Sequence, residues 1–215
     1  MLKDESSKQE DYQMIKKILI VSDSHGNSKK IKLAIDREMP DMLIHLGDIE
    51  DDPETIRAWL DKAAQVWNAM PGNESMKKGL PTPAVFIEGN CDRYRYGATG
   101  EENLLKKVSV FRVNGHGFYC THGHREGVNY GLDNLYYSAL ENNCDIAMYG
   151  HTHVPFDDFF ENSSDARSDE SDNTVRGVRV LNPGSVSLPR GGNRKSYMVM
   201  TFEEDGSYEV ELKYL

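Results

Sequence analysis

Ile18-Leu19-Ile20-Val21 is a short apolar run rich in β-branched residues, and it leads straight into Asp23-Ser24-His25-Gly26. The same juxtaposition recurs along the chain. Met42-Leu43-Ile44-His45-Leu46 ends at Gly47-Asp48, and Ala84–Ile87 leads to Gly89-Asn90-Cys91-Asp92. Phe118–Thr121 leads to His122-Gly123-His124, and Asp145–Tyr149 to Gly150-His151-Thr152-His153. Short continuous apolar runs are the signature of strands buried on both faces. Chemically active residues that follow each run fall at the C-terminal edge of a sheet, where loops from distant segments converge and ligands collect. The chain is thereby constrained to an α/β architecture with one functional edge.

The segments between the runs agree. A helical stretch is predicted from about Ser28 to Glu38, and Pro53 opens another that runs to about Trp67, since Pro is tolerated in a first turn. Residues 71–83, with Pro71, Gly72, Gly79, Pro81 and Pro83, read as a long loop. In the second half, Val108–Val113 and Phe118–Thr121 flank Asn114-Gly115, a strong hairpin signal, and Gly131–Asn142 reads as a helix. After Phe156–Phe160, the segment Glu161–Asn173 is rich in Ser, Asp and Glu and reads as an acidic loop. Strands follow around Val175–Leu181 and Tyr197–Phe202, the latter pairing with Tyr208–Lys213 through Asp205-Gly206. Parallel βα units followed by a β-rich half predict α/β layers around two facing sheets. The expected organisation is a polar N-terminal extension over residues 1–15, then one domain over 16–215 with an acidic insertion at about 161–173.

Composition narrows the function classes. A net charge of −10 argues against strong binding of nucleic acid or an anionic membrane, which relies on Lys and Arg neutralising phosphates. No apolar run approaches the roughly 20 residues of a membrane helix, and Met1 to Lys17 holds no apolar signal core. Three cysteines without CxxC spacing point to a reducing cytoplasm. A homo-oligomer stays open.

Each motif taken alone has an ordinary explanation. Asp23 and His25 suit a turn before a helix, Gly47-Asp48 makes turns commonly, and Asn90 fits a tight turn. Gly72-Asn73-Glu74 imitates the Asn motif, but it follows a helical pattern and Pro71. His151 and His153 are two apart, and in an extended segment such residues share a face, so one step can feed two adjacent ions. Together the motifs say more. Five of the seven histidines fall in three of them, and imidazole, carboxylate and amide donors arrive from five places. That mixture suits a pair of divalent transition metals.

In this order the motifs resemble the calcineurin-like metallophosphoesterase superfamily. Ser22-Asp23-Ser24-His25-Gly26, Gly89-Asn90-Cys91-Asp92, Thr121-His122-Gly123-His124 and Asn182-Pro183-Gly184-Ser185 look like its YfcE-related phosphodiesterase branch. The resemblance implies a four-layer α/β/β/α sandwich. It implies one metal held by Asp23, His25, Asp48 and His153, and a second held by Asp48, Asn90, His122 and His151, with Asp48 bridging. Mn is the expected metal, and Fe, Zn or Ni suit the same donors. Ions about 3.5–4 Å apart clamp a phosphoryl oxygen and acidify a shared water, whose hydroxide attacks phosphorus in line with the leaving oxygen. The implied activity is hydrolysis of a small phosphodiester without a covalent intermediate, with Asp48, Asn90 and His124 as catalytic residues.

Two departures bear on this. Many relatives place His after the Asn to protonate the leaving group, whereas here Cys91 stands there, a weak hydrogen-bond donor. The reaction then relies on His124 or water as the acid, or on activated leaving groups that need none. Secondly, Gly47-Asp48 is followed by Ile49-Glu50-Asp51-Asp52 rather than the Arg of phosphoprotein phosphatases, and this acidic rim argues against phosphoprotein substrates. Arg93, Arg125 and Arg190 are the candidate phosphate contacts. Alternatives are a phosphomonoesterase or nucleotide phosphatase with the same site, and a non-catalytic protein-binding scaffold resembling the retromer subunit Vps29. All seven ligand positions hold competent donors, which favours an enzyme.

Overall fold

The computed structural model describes residues 10–70, 81–92, 104–162 and 177–215. Two sheets of six strands face each other. One has the order β12 (Tyr208–Tyr214), β11 (Ser196–Phe202), β2 (Lys17–Val21), β3 (Met42–His45), β4 (Ala84–Ile87), β5 (Leu105–Lys106). The other runs β1 (Glu10–Tyr12), β6 (Val108–Val113), β7 (His116–Thr121), β8 (Ile146–Met148), β10 (Gly177–Pro183), β9 (Pro155–Glu161). The first is the β2 sheet and the second the β7 sheet. Among the described residues the helices are α1 (Ser28–Glu38), α2 (Pro53–Asn68) and α3 (Asp133–Glu141).

The layering follows from alternation within the strands. Ile18 and Ile20 of β2, Met42 and Ile44 of β3, and Val85 and Ile87 of β4 meet Phe118 and Cys120 of β7 and Ile146 and Met148 of β8 in one core between the sheets. The intervening Leu19, Val21, Leu43 and Phe86 face the other way and pack with Ile31 and Ile35 of α1 and Ile56 and Leu60 of α2. On the far side, Tyr119, Ala147, Val178 and Val180 pack against Leu135 and Ala139 of α3. The runs lack polar alternation because each strand is covered on both faces. The result is the four-layer α/β/β/α sandwich. Asp52 caps α2, accepting from Glu54 N–H and Thr55 N–H, and Pro53 sits in the first turn.

Some expectations need correction. Residues 10–12, assigned from their polarity to an extension, form β1 beside β6, with Tyr12 edge-on to Phe111 and Ile15 in the core. The short β5 also went unread. The Gly72-Asn73-Glu74 decoy and residues 163–173 of the acidic segment lie outside the described residues. No helix among the described residues is long and apolar enough to cross a membrane.

At the pole opposite the strand ends that carry the motifs, His116 ties the two sheets. Its Nδ1 meets Asp145 Oδ2 at 2.5 Å and its Nε2 meets the Gly206 carbonyl, in the β11–β12 turn, at 3.0 Å. Both partners accept, so only the imidazolium satisfies both. The Asp145 hydrogen bond raises the His116 pKa against the opposing effect of burial, with the Gly206 carbonyl assisting. A raised folded pKa gives stability that is complete below the unfolded value near 6.5 and is lost as pH rises through the folded value. His116→Gln is therefore expected to lower the melting temperature more at about pH 5.5 than at about pH 8.5. With the His116 side chain 27% exposed, solvent screening leaves about 1 kcal/mol at acid pH, or roughly 2–4 °C. A pH-independent gap between the two proteins in thermal melts would show that the second bond carries no charge.

Candidate metal centre

Strands β2, β3 and β4 are parallel, as are β7 and β8, and each of the five ends in one of the motifs. Asp23, His25, Asp48 and Asn90 thus come from the β2 sheet, and His122, His151 and His153 from the β7 sheet. The two loops after β2 and β3 run side by side. Asp23 N–H donates to Gly47 O at 3.0 Å, His25 N–H to Asp48 O at 2.9 Å and Gly26 N–H to Ile49 O at 2.9 Å. Asp23, His25, Asp48, Glu50, His151 and His153 all have φ between 43° and 66°. This left-handed conformation costs a non-glycine residue roughly 1–2 kcal/mol and persists only where the surroundings impose it. The tight curl turns successive side chains inward. It also corrects the reading of Gly150-His151-Thr152-His153 as extended: Thr152 N–H donates to Gly150 O at 2.7 Å, so the pair sits in a turn.

One donor atom each from Asp23, His25, Asp48 and His153 lies within 4.8 Å of the others. The second half adjoins it. His122 Nε2 is 3.5 Å from Asp48 Oδ2 and 3.2 Å from Asn90 Oδ1. His151 does not enter the tight group, but its ring stands 5.2 Å from that of His122, centroid to centroid. His124 lies beside both, 5.3 Å from His122 and 6.1 Å from His151.

The ring nitrogens have assigned roles. His122 Nδ1 donates to Leu46 O at 2.7 Å, His153 Nδ1 to Leu188 O at 2.5 Å and His25 Nδ1 to Glu50 Oε1 at 2.7 Å. Carbonyl and carboxylate oxygens only accept, so the Nδ1 proton is fixed and Nε2 turns inward with a lone pair or a second proton. Burial would lower the pKa of His122, yet the Asp48 hydrogen bond and the Asp23 charge raise it. Burial likewise opposes the rise at His153, where the adjacent Asp23 carboxylate prevails. Asp48 would be raised by burial alone, but His122 and the Cys91 N–H hold its carboxyl below the ordinary range.

This donor set fits divalent cations. His25 Nε2 and His153 Nε2 face each other at 3.3 Å. Asp23 Oδ1 is buried without a directed hydrogen bond, although His153 Nε2 is 3.2 Å away as a charge contact. Buried acceptors aimed at one another are costly unless a cation or protons stand between them. A bound ion would replace those protons.

Supporting residues extend beyond the motifs. Ser185 and Ser187 hydroxyls both donate to Asp23 O, at 2.7 and 3.0 Å, and Asn182 Nδ2 donates to Gly150 O at 2.9 Å. The Asn182–Ser185 motif thus braces the Asp23 and Gly150 turns. Asn129, exposed, meets His151 Nε2 at 2.9 Å. Asp92 accepts from Glu50 N–H and Gly89 N–H at 2.9 and 2.8 Å. Glu50 and Asp52, expected to form an acidic rim that argues against phosphoprotein substrates, are occupied locally: Glu50 orients His25 and Asp52 caps α2. Partial desolvation of the otherwise exposed Cys91, with Asp48 and Glu50 nearby, pushes its thiol up to about 12, so it stays protonated and is a weak acid. Arg125 pairs with Glu88 at 3.5 Å, while Arg190 is exposed with its N–H on His153 O at 3.2 Å. Arg93 lies outside the described residues.

Comparisons with known proteins agree with this geometry. A family model described as the calcineurin-like phosphoesterase superfamily domain matches residues 17–205. The chain is 28% identical over 192 residues to the probable metallophosphoesterase YsnB of Bacillus subtilis, covering 88% of this chain and 86% of that protein. It is 28% identical over 193 residues to the phosphodiesterase YfcE of Escherichia coli, covering 84% and 85%. A crystal structure of a predicted phosphoesterase from Streptococcus pneumoniae shares the fold, with a TM-score of 0.63 at 24% identity over 93% of this chain and 89% of that one.

Proposed function

The chain belongs to the calcineurin-like phosphoesterase superfamily, and from that premise we propose that it hydrolyses small phosphodiesters with two divalent metal ions. Asp23, His25, Asp48 and His153 would hold one ion, and Asp48, Asn90, His122 and His151 the other. The observation that carries the reading is the buried convergence of Asp23, His25, Asp48 and His153 with His122 and Asn90 alongside. Bound there, the ions would supply Lewis-acid polarisation of the phosphoryl group and a water nucleophile at neutral pH.

The side chains of this chain do the rest. Asp48 is the shared carboxylate: Cys91 N–H anchors its Oδ1 at 2.8 Å while Oδ2 turns toward His122 and His25. Asn90 presents its amide oxygen rather than its nitrogen to His122. His124, beside His122 and His151, is the group we assign to protonate the leaving oxygen, since the Cys91 thiol holds its proton too tightly. The net charge of −10 supports a diester over a monoester, because the second charge of a monoester is repelled further. Mn fits this mixed nitrogen and oxygen set, as do Fe, Zn and Ni. The free Cys91, Cys120 and Cys144 support a reducing compartment, the cytoplasm.

The test is turnover of bis-p-nitrophenyl phosphate and p-nitrophenyl phosphate by metal-stripped protein, before and after adding Mn. The stripped protein is expected to be inactive, and Mn to restore diester turnover at least about tenfold above monoester turnover, a margin of about 1.4 kcal/mol. Faster monoester turnover would move the assignment to a phosphomonoesterase. Folded protein that stays inactive with Mn, Fe, Zn and Ni would end the enzymatic reading.

A further inference from the structure

Of the two histidines outside the motifs, His116 lies at the opposite pole, but His45 sits directly beneath the centre. It ends β3 on the helix-facing side, as Leu43 does, and is completely buried. Gly47 N–H donates to its Nδ1 at 3.2 Å, so Nδ1 carries the lone pair and Nε2 the proton. His45 Nε2 is 3.1 Å from Ser24 Oγ, and Ser24 Oγ donates to Ile49 O at 3.1 Å. The relay therefore has one direction: Gly47 N–H to His45, His45 N–H to Ser24, Ser24 O–H to Ile49 O. Burial is the main cause that lowers the His45 pKa, to about 3, which keeps the ring neutral and this polarity fixed.

The residues joined in this way matter more than the bonds. Ser24 lies between Asp23 and His25, while Gly47 and Ile49 flank Asp48. Asp23, His25 and Asp48 all have left-handed backbones. Main-chain bonds set the register of the two loops, Ser185 and Ser187 hold Asp23 O from outside, and the His45–Ser24 relay is the side-chain link that ties Ser24 to both Gly47 and Ile49. We propose that His45 is a positioning residue: through Ser24, its neutral imidazole clasps the two loops so that Asp23, His25 and Asp48 keep the orientation that binds metal. A core histidine with satisfied nitrogens would otherwise add stability alone. The geometry stands by itself, and its effect on metal rests on the function proposed above.

Three variants separate these roles. His45→Phe keeps a ring without either nitrogen, Ser24→Ala breaks the relay without touching the ring, and His45→Gln returns an amide donor at the Ser24 end. Mn binding to metal-free protein is measured by calorimetric titration, with thermal melts and peptide-resolved amide exchange over 22–27 and 46–50. His45→Phe and Ser24→Ala are expected to bind Mn about 10–100-fold more weakly, the range for residues that orient metal ligands, with faster exchange in both segments. His45→Gln is expected to recover most of the affinity. Wild-type affinity in both disrupting variants, even with a lower melting temperature, would overturn the proposal and leave His45 a packing residue. If His45→Phe does not fold, Ser24→Ala decides by the same criterion. If the wild-type chain takes up no Mn, Fe, Zn or Ni, the metal reading fails by itself. Amide exchange in metal-free Ser24→Ala then judges the relay, and unchanged exchange overturns it.

Discussion

Asp48→Asn is expected to lower diester turnover by about 10³-fold or more while the protein stays folded. Losing one preorganised electrostatic contact costs roughly 10²–10³ in turnover, and Asp48 would serve both halves of the proposed centre. Its Oδ2 lies 3.5 Å from His122 Nε2 and 3.8 Å from His25 Nε2, so one carboxylate oxygen addresses both histidines. Asn has the same shape and its amide oxygen retains the bond from Cys91 N–H, but it presents N–H groups where an anion is needed. Replacing a buried carboxylate by a neutral isostere removes desolvated charge. It also leaves His122 without its anionic partner, so the metal-free variant should melt below the metal-free wild type while remaining folded. Kinetics and elemental analysis together check this, with metal content expected to fall alongside activity. A variant that keeps activity within about tenfold, or 1.4 kcal/mol, would remove Asp48 from the centre.

Gly89→Ala and Gly150→Ala are expected to abolish metal uptake by a different route. A Cβ on Gly89 would press into Asp48 N and Oδ1 and lie 2.8 Å from Asp48 Cγ. A Cβ on Gly150 would press into Ser22 Oγ, 2.9 Å from Asp23 Oδ2 and 3.2 Å from Leu46 O. Real Cβ atoms do not sit this close to other heavy atoms, so at Gly89 the Asp48 backbone must move, and at Gly150 the buried Ser22 hydroxyl and Asp23 carboxylate must shift. Overpacking costs about 1–3 kcal/mol, and here the displaced atoms belong to Asp48 and Asp23 themselves. Both variants should melt several degrees lower, as about 1–3 kcal/mol implies for this size, and should bind little metal. Gly131→Ala is the comparison: its Cβ would meet only Asp133 Oδ2, at the ordinary distance of 3.6 Å, and it should behave as wild type. Normal metal content in Gly89→Ala would show that the loop after β4 yields without disturbing Asp48.

The contrast between these glycines and the strands shows where sequence reading succeeds. Runs such as Ile18–Val21 and Met42–Ile44 were legible because burial on both faces demands apolar residues at every position. Their ends were legible too, since donor-rich motifs follow each run. β1 was not, because Glu10-Asp11-Tyr12 is polar and takes its strand form from pairing with Phe111–Val113, a hundred residues away. The turn of His151 and His153 is not legible, because the residue types carry no sign of φ. Glu50 looked like part of a solvated acidic run, and only the fold shows it gripping His25. Asn129, Ser187 and His45 give no local signal: each matters through a partner that another loop brings near.

The donors are divided between the two sheets, and this division makes the sandwich a pair of jaws. Asp23, His25, Asp48 and Asn90 sit on one jaw and His122, His151 and His153 on the other, and the core side chains between them, such as Met42, Phe118 and Met148, set how far the jaws stand apart. Were ions bound as proposed, their size would be gauged by methionines and phenylalanines that never touch an ion. A methylene gained or lost deep in the core would change the aperture at the rim, because close-packed interiors transmit strain rather than absorb it. Preference among metals would then be a property of the whole sandwich, adjustable from its middle without altering a single donor.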